Sequence, residues 1–151
     1  MDYGTRLKEL REYNNLSQYD MAELLHIKRS SYNQFEQQYD IIPIKRLNEV
    51  ANVFNCSVDY ILGLSDVKQY SLSTKEINIE ISRERLKQFR KKHKLTQDKL
   101  AQILKTTQSV VGGFERGRNI IATPFLYQIC KKYHISADYL LGKTNEPQEL
   151  S

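Results

Sequence analysis

The sequence matches itself at an offset of 79 residues. Arg6-Leu7-Lys8 recurs as Arg85-Leu86-Lys87, Leu16-Ser17-Gln18 as Leu95-Thr96-Gln97, and Phe35-Glu36 as Phe114-Glu115. Asp59-Tyr60-Ile61-Leu62-Gly63 closes the first copy and Asp138-Tyr139-Leu140-Leu141-Gly142 the second, and residues 5–63 and 84–142 align without one insertion. A register kept that long means that both copies share one backbone. Each copy has about 60 residues, near the lower limit for a core that holds itself together.

The periodicity inside each copy is helical. Leu7, Leu10 and Arg11 stand at i, i+3 and i+4, as do Leu86, Phe89 and Arg90. Ser17 and Thr96 suit the N-cap of a second helix with a buried stripe of Met21, Leu24 and Leu25, or Leu100, Ile103 and Leu104. A short turn and a third helix of about eight residues follow, ending near Glu36 and Glu115. Two more helices fit residues 44–54 with 57–62, and 123–133 with 136–141. Pro124 suits a first helical turn, and Gly63 and Gly142 a stop. The fold class is therefore all-α, two tandem five-helix units over residues 1–63 and 83–145, with a linker at 64–82 and a tail at 146–151. Ile77-Asn78-Ile79-Glu80-Ile81 alternates apolar and polar residues, which suggests a short extended segment, free to pair with another chain or to pack on its own unit.

Charge is divided unevenly between the copies. Residues 1–70 sum to −2 and residues 71–151 to +7, within a net +5. The second half is thus expected to contribute more attraction to a polyanion. No stretch of about 18 apolar residues is present to span a membrane, and no apolar run behind a basic start suggests a secretory signal, so a cytoplasmic location is expected. Cys56 and Cys130 are too few and too far apart for a disulfide framework or a zinc site, and read as small core residues. His26, His93 and His134 lack metal-ligand spacing. Neither a phosphate-binding glycine loop nor a nucleophile elbow occurs, so no enzyme, metal or cofactor is expected.

Helix two, the turn and helix three make a helix-turn-helix in each copy. Ser17-Gln18 through Ala22, Leu25, Ile27 and Phe35-Glu36 resembles the Cro and phage-repressor (XRE-like) helix-turn-helix family. So does Thr96-Gln97 through Ala101, Leu104 and Phe114-Glu115-Arg116-Gly117, and the closing segments Ser57–Gly63 and Ser136–Gly142 match the same pattern. The resemblance implies a lambda-repressor-like fold whose third helix enters the major groove of duplex DNA. In the first unit it puts Lys28 at the N-cap, where relatives often carry Ser or Thr. It turns Arg29, Ser30, Ser31, Asn33 and Gln34 toward DNA while Tyr32 and Phe35 anchor inward. Arg can grip guanine O6 and N7, and Asn or Gln can grip adenine N6 and N7. In the second unit Thr107 caps, and Gln108 and Ser109 are the expected readers. Gly112-Gly113 stands where Asn33-Gln34 does in the first unit. Two interior glycines cost about 2 kcal/mol of helix stability relative to alanine, and the favoured expectation is that this helix reads less sequence.

Gln18 and Gln97 follow the caps at the positive end of helix two, where backbone N–H groups meet phosphates; a purely structural place in the cap is the alternative. Arg116 and Arg118 after helix three, with Lys91, Lys92 and Lys94 before helix two, suit phosphates, and Arg6 and Arg85 are weaker candidates for the same role. The resemblance assigns Arg11 with Glu36, and Arg90 with Glu115, as structural ion pairs rather than an acid–base pair. Tyr60 and Tyr139, with Asp59 and Asp138 beside them, are expected to pack at the core edge.

The function expected is sequence-specific binding to duplex DNA, with promoter occlusion as its consequence. Two units could fill successive major grooves about 34 Å apart, a distance the linker spans if extended at about 3.3 Å per residue. A homodimer presenting four units competes with that arrangement. A helix-turn-helix module that binds a protein, as an antitoxin or a phage-borne inhibitor of a host nuclease with autoregulatory DNA binding, is the second expectation.

Overall fold

The computed structural model describes residues 1–147 and 150. Part of the tail expected at 146–151 lies outside these residues. The first unit consists of α1 (Gly4–Tyr13), α2 (Gln18–Leu25), α3 (Arg29–Gln37), α4 (Ile44–Val53) and the single turn α5 (Val58–Ile61). The second repeats the order with α6 (Ile79–Lys92), α7 (Gln97–Leu104), α8 (Gln108–Glu115), α9 (Thr123–Tyr133) and α10 (Ala137–Leu140). Among the described residues no strand forms, only an isolated antiparallel bridge between Ser73 and Thr144.

Each helix buries the stripe its spacing dictates. Leu7 and Leu10 of α1 and Ile44, Leu47, Val50 and Ala51 of α4 are sealed from solvent, as are Leu86 and Phe89 of α6 and Leu126, Ile129 and Cys130 of α9. A large aliphatic side chain taken fully out of water contributes about 1.5–3 kcal/mol, so these stripes hold each bundle together. Two assigned core residues are not in the core: Leu24 is half exposed and Ile103 only partly buried, because the buried stripes are Met21, Ala22 and Leu25 in α2 and Leu100, Ala101 and Leu104 in α7. Both cysteines are buried thiols.

The segment at 77–81 is not extended. Asn78 is the N-cap of α6, its side chain accepting from the Ile81 N–H at 3.1 Å, so Ile79 and Ile81 already belong to the first helical turn. An Asn N-cap outweighs two alternating isoleucines. The second unit thus begins its first helix four residues before the boundary drawn at 83.

Nor does the linker stretch between separate domains. It folds back on the first unit, with the Ser57 N–H donating to the Lys68 carbonyl at 2.5 Å and Gln69 Nε2 to the Asn55 carbonyl at 2.7 Å. It then reaches the second, where the Thr74 N–H donates to the Lys143 carbonyl at 2.7 Å. The buried apolar residues of both units form one continuous cluster.

At the seam between the units sit Asp59 and Asp138, the sequence neighbours of Tyr60 and Tyr139. Asp59 is 0% and Asp138 1% exposed. The Val58 and Asp59 N–H groups donate to the Asp138 carboxylate at 3.0 and 2.8 Å. The Ala137 N–H and Ser136 hydroxyl donate to the Asp59 carboxylate at 2.6 and 2.5 Å, and the Tyr70 hydroxyl adds a third bond at 2.8 Å. Each carboxylate therefore satisfies the orphan N–H groups that open the other unit's closing helix. Residue 59 pairs with 137 and residue 58 with 138, an exchange of repeat-equivalent positions such as an approximate two-fold axis produces. Burial and the neighbouring Asp59 push the Asp138 carboxyl up to about 7. Lys143, only 4% exposed, is the cation near this acidic pair; burial lowers its pKa and the Asp138 charge opposes that shift.

Candidate nucleic-acid interface

The first helix-turn-helix opens on a reciprocal cap. The Asp20 N–H donates to Ser17 Oγ at 3.0 Å and the Ser17 N–H to Asp20 Oδ2 at 2.8 Å, the two halves of a capping box. These bonds also hold the Asp20 carboxyl below the usual range. α2 stops where His26 takes a left-handed conformation, φ 55°. α3 then starts at Lys28, whose side chain makes no capping bond. Tyr32 and Glu36 point inward and are buried, while Arg29, Ser30, Gln34 and Gln37 are exposed and Ser31 and Asn33 half-buried.

Gln18, at the start of α2, is half-buried and donates from Nε2 to Asn33 Oδ1 at 3.0 Å. With its oxygen engaged, the Asn33 amide keeps two N–H donors for the outside, in the O/N assignment this hydrogen bond selects. Gln18 is thereby tied to the recognition helix instead of serving only the cap.

An ion pair sets the angle of α3. Arg11 Nε and Nη2 donate to the two Glu36 oxygens at 3.0 and 2.8 Å, and Nη1 to the Leu16 carbonyl at 3.0 Å. The side chains are 12% and 1% exposed. Burial pushes the Glu36 carboxyl up, but the Arg11 bonds win and hold it below its usual value. The second unit repeats the fork with Arg90 and Glu115, at 2.7 and 2.8 Å, and with the Leu95 carbonyl at 2.8 Å. A planar fork on a carboxylate fixes orientation as well as distance, so α1 is clamped to the far end of α3, and α6 to that of α8.

The second recognition helix is better capped and differently surfaced. The Val110 N–H donates to Thr107 Oγ1 at 3.4 Å. Gln108, Ser109 and Val110 are exposed. With a glycine at 112, Gln97 has no side chain there to brace; its Nε2 donates to Glu115 Oε1 and its Oε1 accepts from Gln108 Nε2, both at 3.4 Å. Gly112 and Gly113 were expected at the DNA-facing positions of a helix that reads less sequence. They are buried, because Arg116 lies over Gly112 and Asn119 stands near Gly113. Arg118, Lys91, Lys92 and Lys94 are exposed around this helix.

Two weak phosphate candidates are committed within their own units. The Arg6 guanidinium stacks on the Tyr60 ring at 3.8 Å and that of Arg85 on Tyr139 at 4.0 Å. Arg85 also donates to the Tyr139 and Thr144 carbonyls, each at 2.6 Å. The Asp59–Asp138 exchange had escaped the sequence reading as a bridge between units. Its signal was there, an acidic residue two positions after a serine N-cap at the same place in both copies, but the helix each acid caps belongs to the other copy. No helix is long and apolar enough to cross a membrane among the described residues.

The helix-turn-helix family model matches residues 7–61 and again residues 86–140. Over 90 residues the chain is 33% identical to the uncharacterized HTH-type transcriptional regulator YobD of Bacillus subtilis (strain 168), covering 60% of this chain and 72% of that protein. It is 33% identical over 69 residues to the HTH-type transcriptional regulator ImmR of the same organism, covering 46% of this chain and 54% of that protein. No solved structure matches the chain. Two matched units, together covering most of its length, place the chain in the XRE-type helix-turn-helix family as two copies in tandem.

Proposed function

We propose that this protein is a sequence-specific double-stranded DNA-binding transcriptional repressor of phage or mobile-element type. The observation that carries the reading is the pair of third helices, α3 and α8, each held by a buried Arg–Glu fork and each exposing polar side chains near its amino terminus, Arg29 and Ser30 in one and Gln108 and Ser109 in the other. Two HTH-type transcriptional regulators among its relatives support the same reading. In the first unit Arg29, Ser30, Ser31, Asn33 and Gln34 read bases, with Gln18 and Lys28 at the flanking phosphates. In the second Thr107, Gln108 and Ser109 face the groove, with Gln97, Arg116 and Arg118 beside it.

A single chain covers both half-sites. The reciprocal aspartate seam relates the two units as a dimer's two-fold relates its subunits, which matches the dyad of a duplex. The half-sites are unlike, since Arg29-Ser30-Ser31 and Gln108-Ser109-Val110 offer different groups. Bound across a promoter, such a chain blocks polymerase.

Selection of duplexes from a random pool tests this directly. We expect two dissimilar half-sites about one helical turn apart, and affinity that falls steeply with salt as phosphates release counterions. Arg29→Ala should cost about 1–3 kcal/mol on the selected site and relax preference at one base pair. Equal losses on selected and random duplex would remove the base-reading role. A salt-insensitive complex with a protein, and none with DNA, would favour the protein-binding module instead.

A further inference from the structure

We infer that Arg116 is the guanine-reading side chain of the second unit, and that Gly112 provides the lane in which it lies. The inference rests on the DNA-binding reading above and assigns a specificity residue within it.

The outward row of α3 runs through Arg29, Asn33 and Gln37, at i, i+4 and i+8; the same row of the second unit runs through Gln108, Gly112 and Arg116. Helical side chains lean toward the amino terminus, so residue 116 projects back over residue 112. A Cβ placed on Gly112 would stand 2.8 Å from Arg116 Nη1 and 3.4 Å from both Cζ and Nη2. All three guanidinium atoms are thus gathered above the bare glycine, and their cover is what buries it. Arg116 carries its charge about one turn (roughly 5.4 Å) back toward the amino-terminal half of the helix, the half that meets base edges in this docking geometry. The guanidinium ends beside position 112, whose repeat counterpart in the first unit is Asn33.

Nothing else claims this guanidinium. It makes no hydrogen bond or ion pair among the described residues; only the Arg116 backbone is engaged, its carbonyl accepting from Arg83 Nη1 at 3.3 Å and its N–H donating to the Gly112 carbonyl at 3.0 Å. The adjoining carboxylate, Glu115, is already held by Arg90 and approached by Gln97. An exposed planar fork without a partner among the described residues, laid against the helix over Gly112, has donors to offer O6 and N7 of one guanine. Gly112, one of the pair that suggested a helix that reads little, instead makes room for the long side chain at its carboxyl end.

The test uses the whole chain and the duplex that it selects from a random pool. Arg116→Ala should lower discrimination at one G·C pair of the second half-site by about 5- to 100-fold, with the other positions and the salt slope unchanged. Arg116→Lys keeps the charge and should lose most of that discrimination. Gly112→Ala keeps the arginine but pushes its guanidinium tip aside; it should raise the melting temperature through helix propensity while weakening the same base preference. Uniform weakening on all duplexes by Arg116→Ala, with a salt slope shallower by about one, would make Arg116 a phosphate contact and overturn the inference alone. So would full base preference in Gly112→Ala. A wild-type chain that selects no duplex would overturn the DNA-binding reading and this inference together.

Discussion

Glu36→Ala should lower the unfolding free energy by about 3–5 kcal/mol, because it strands the Arg11 guanidinium in a place with little water. The side chains are 12% and 1% exposed, so solvent can repair little of the loss. Glu115→Ala should cost a similar amount in the second unit, where the exposures are 11% and 4%. Urea unfolding by circular dichroism reads both values, and a loss below about 1 kcal/mol would mean that the fork is solvated in solution. Replacing both partners with apolar residues, as in Arg11→Met with Glu36→Leu, should recover most of the stability, since it is the uncompensated charge that costs most. The recovered protein would nonetheless lack the planar clamp on α3 and should bind its selected duplex less selectively. The pH dependence has a definite sign. The folded Glu36 carboxyl lies below its ordinary 4.5, so the stability it contributes is present above pH 4.5 and is lost as pH falls through the folded value.

Asp59→Ala is the second large effect, and it acts on the seam. It removes the acceptor of the Ser136 hydroxyl and the Ala137 N–H, both sealed from solvent, and of the half-buried Tyr70 hydroxyl. Buried donors left without partners cost about 1–3 kcal/mol each and do not add fully. Relief of repulsion with Asp138 offsets part of this, and we expect a net loss of about 3 kcal/mol. The measurement is again denaturant unfolding, accompanied by proteolysis of the linker, which should become cleavable near residues 67–75 as the units part. An unchanged midpoint would show that the apolar cluster alone holds the units together. Asp138 titrates in the opposite sense to Glu36. Its folded value, about 7, lies above its ordinary 3.8. Its contribution is therefore complete below pH 4 and fades as pH climbs through 7. Asp138→Asn should abolish that decline, which a pH series of unfolding midpoints would display.

How much of this was legible beforehand follows from the range of the forces involved. Helix positions, the Ser17 and Thr96 caps and the left-handed stops at Gly63 and Gly142 depend on neighbours within one copy, and spacing displays them; the Thr107 cap and the two Arg–Glu forks also lie within one copy, but it was the family resemblance that pointed to them. Leu24 was misplaced because three apolar residues at helical spacing do not say which of them faces α4. The alternation at 77–81 misled because a period-two pattern five residues long also fits a helix start, and the deciding hydrogen bond belongs to Asn78.

The amino-acid order by itself thus determined two like helical units, each with a helix, a tight turn and a third helix. It could do so because caps, stripes and i, i+4 rows are local and were written twice. Only the tertiary structure decided that the units are joined face to face by exchanged aspartates, and that Arg116 lies along the lane left by Gly112. A carboxylate's partner across 79 positions, or the direction a long side chain takes over a missing Cβ, depends on which surfaces meet in space. Sequence spacing carries no measure of that.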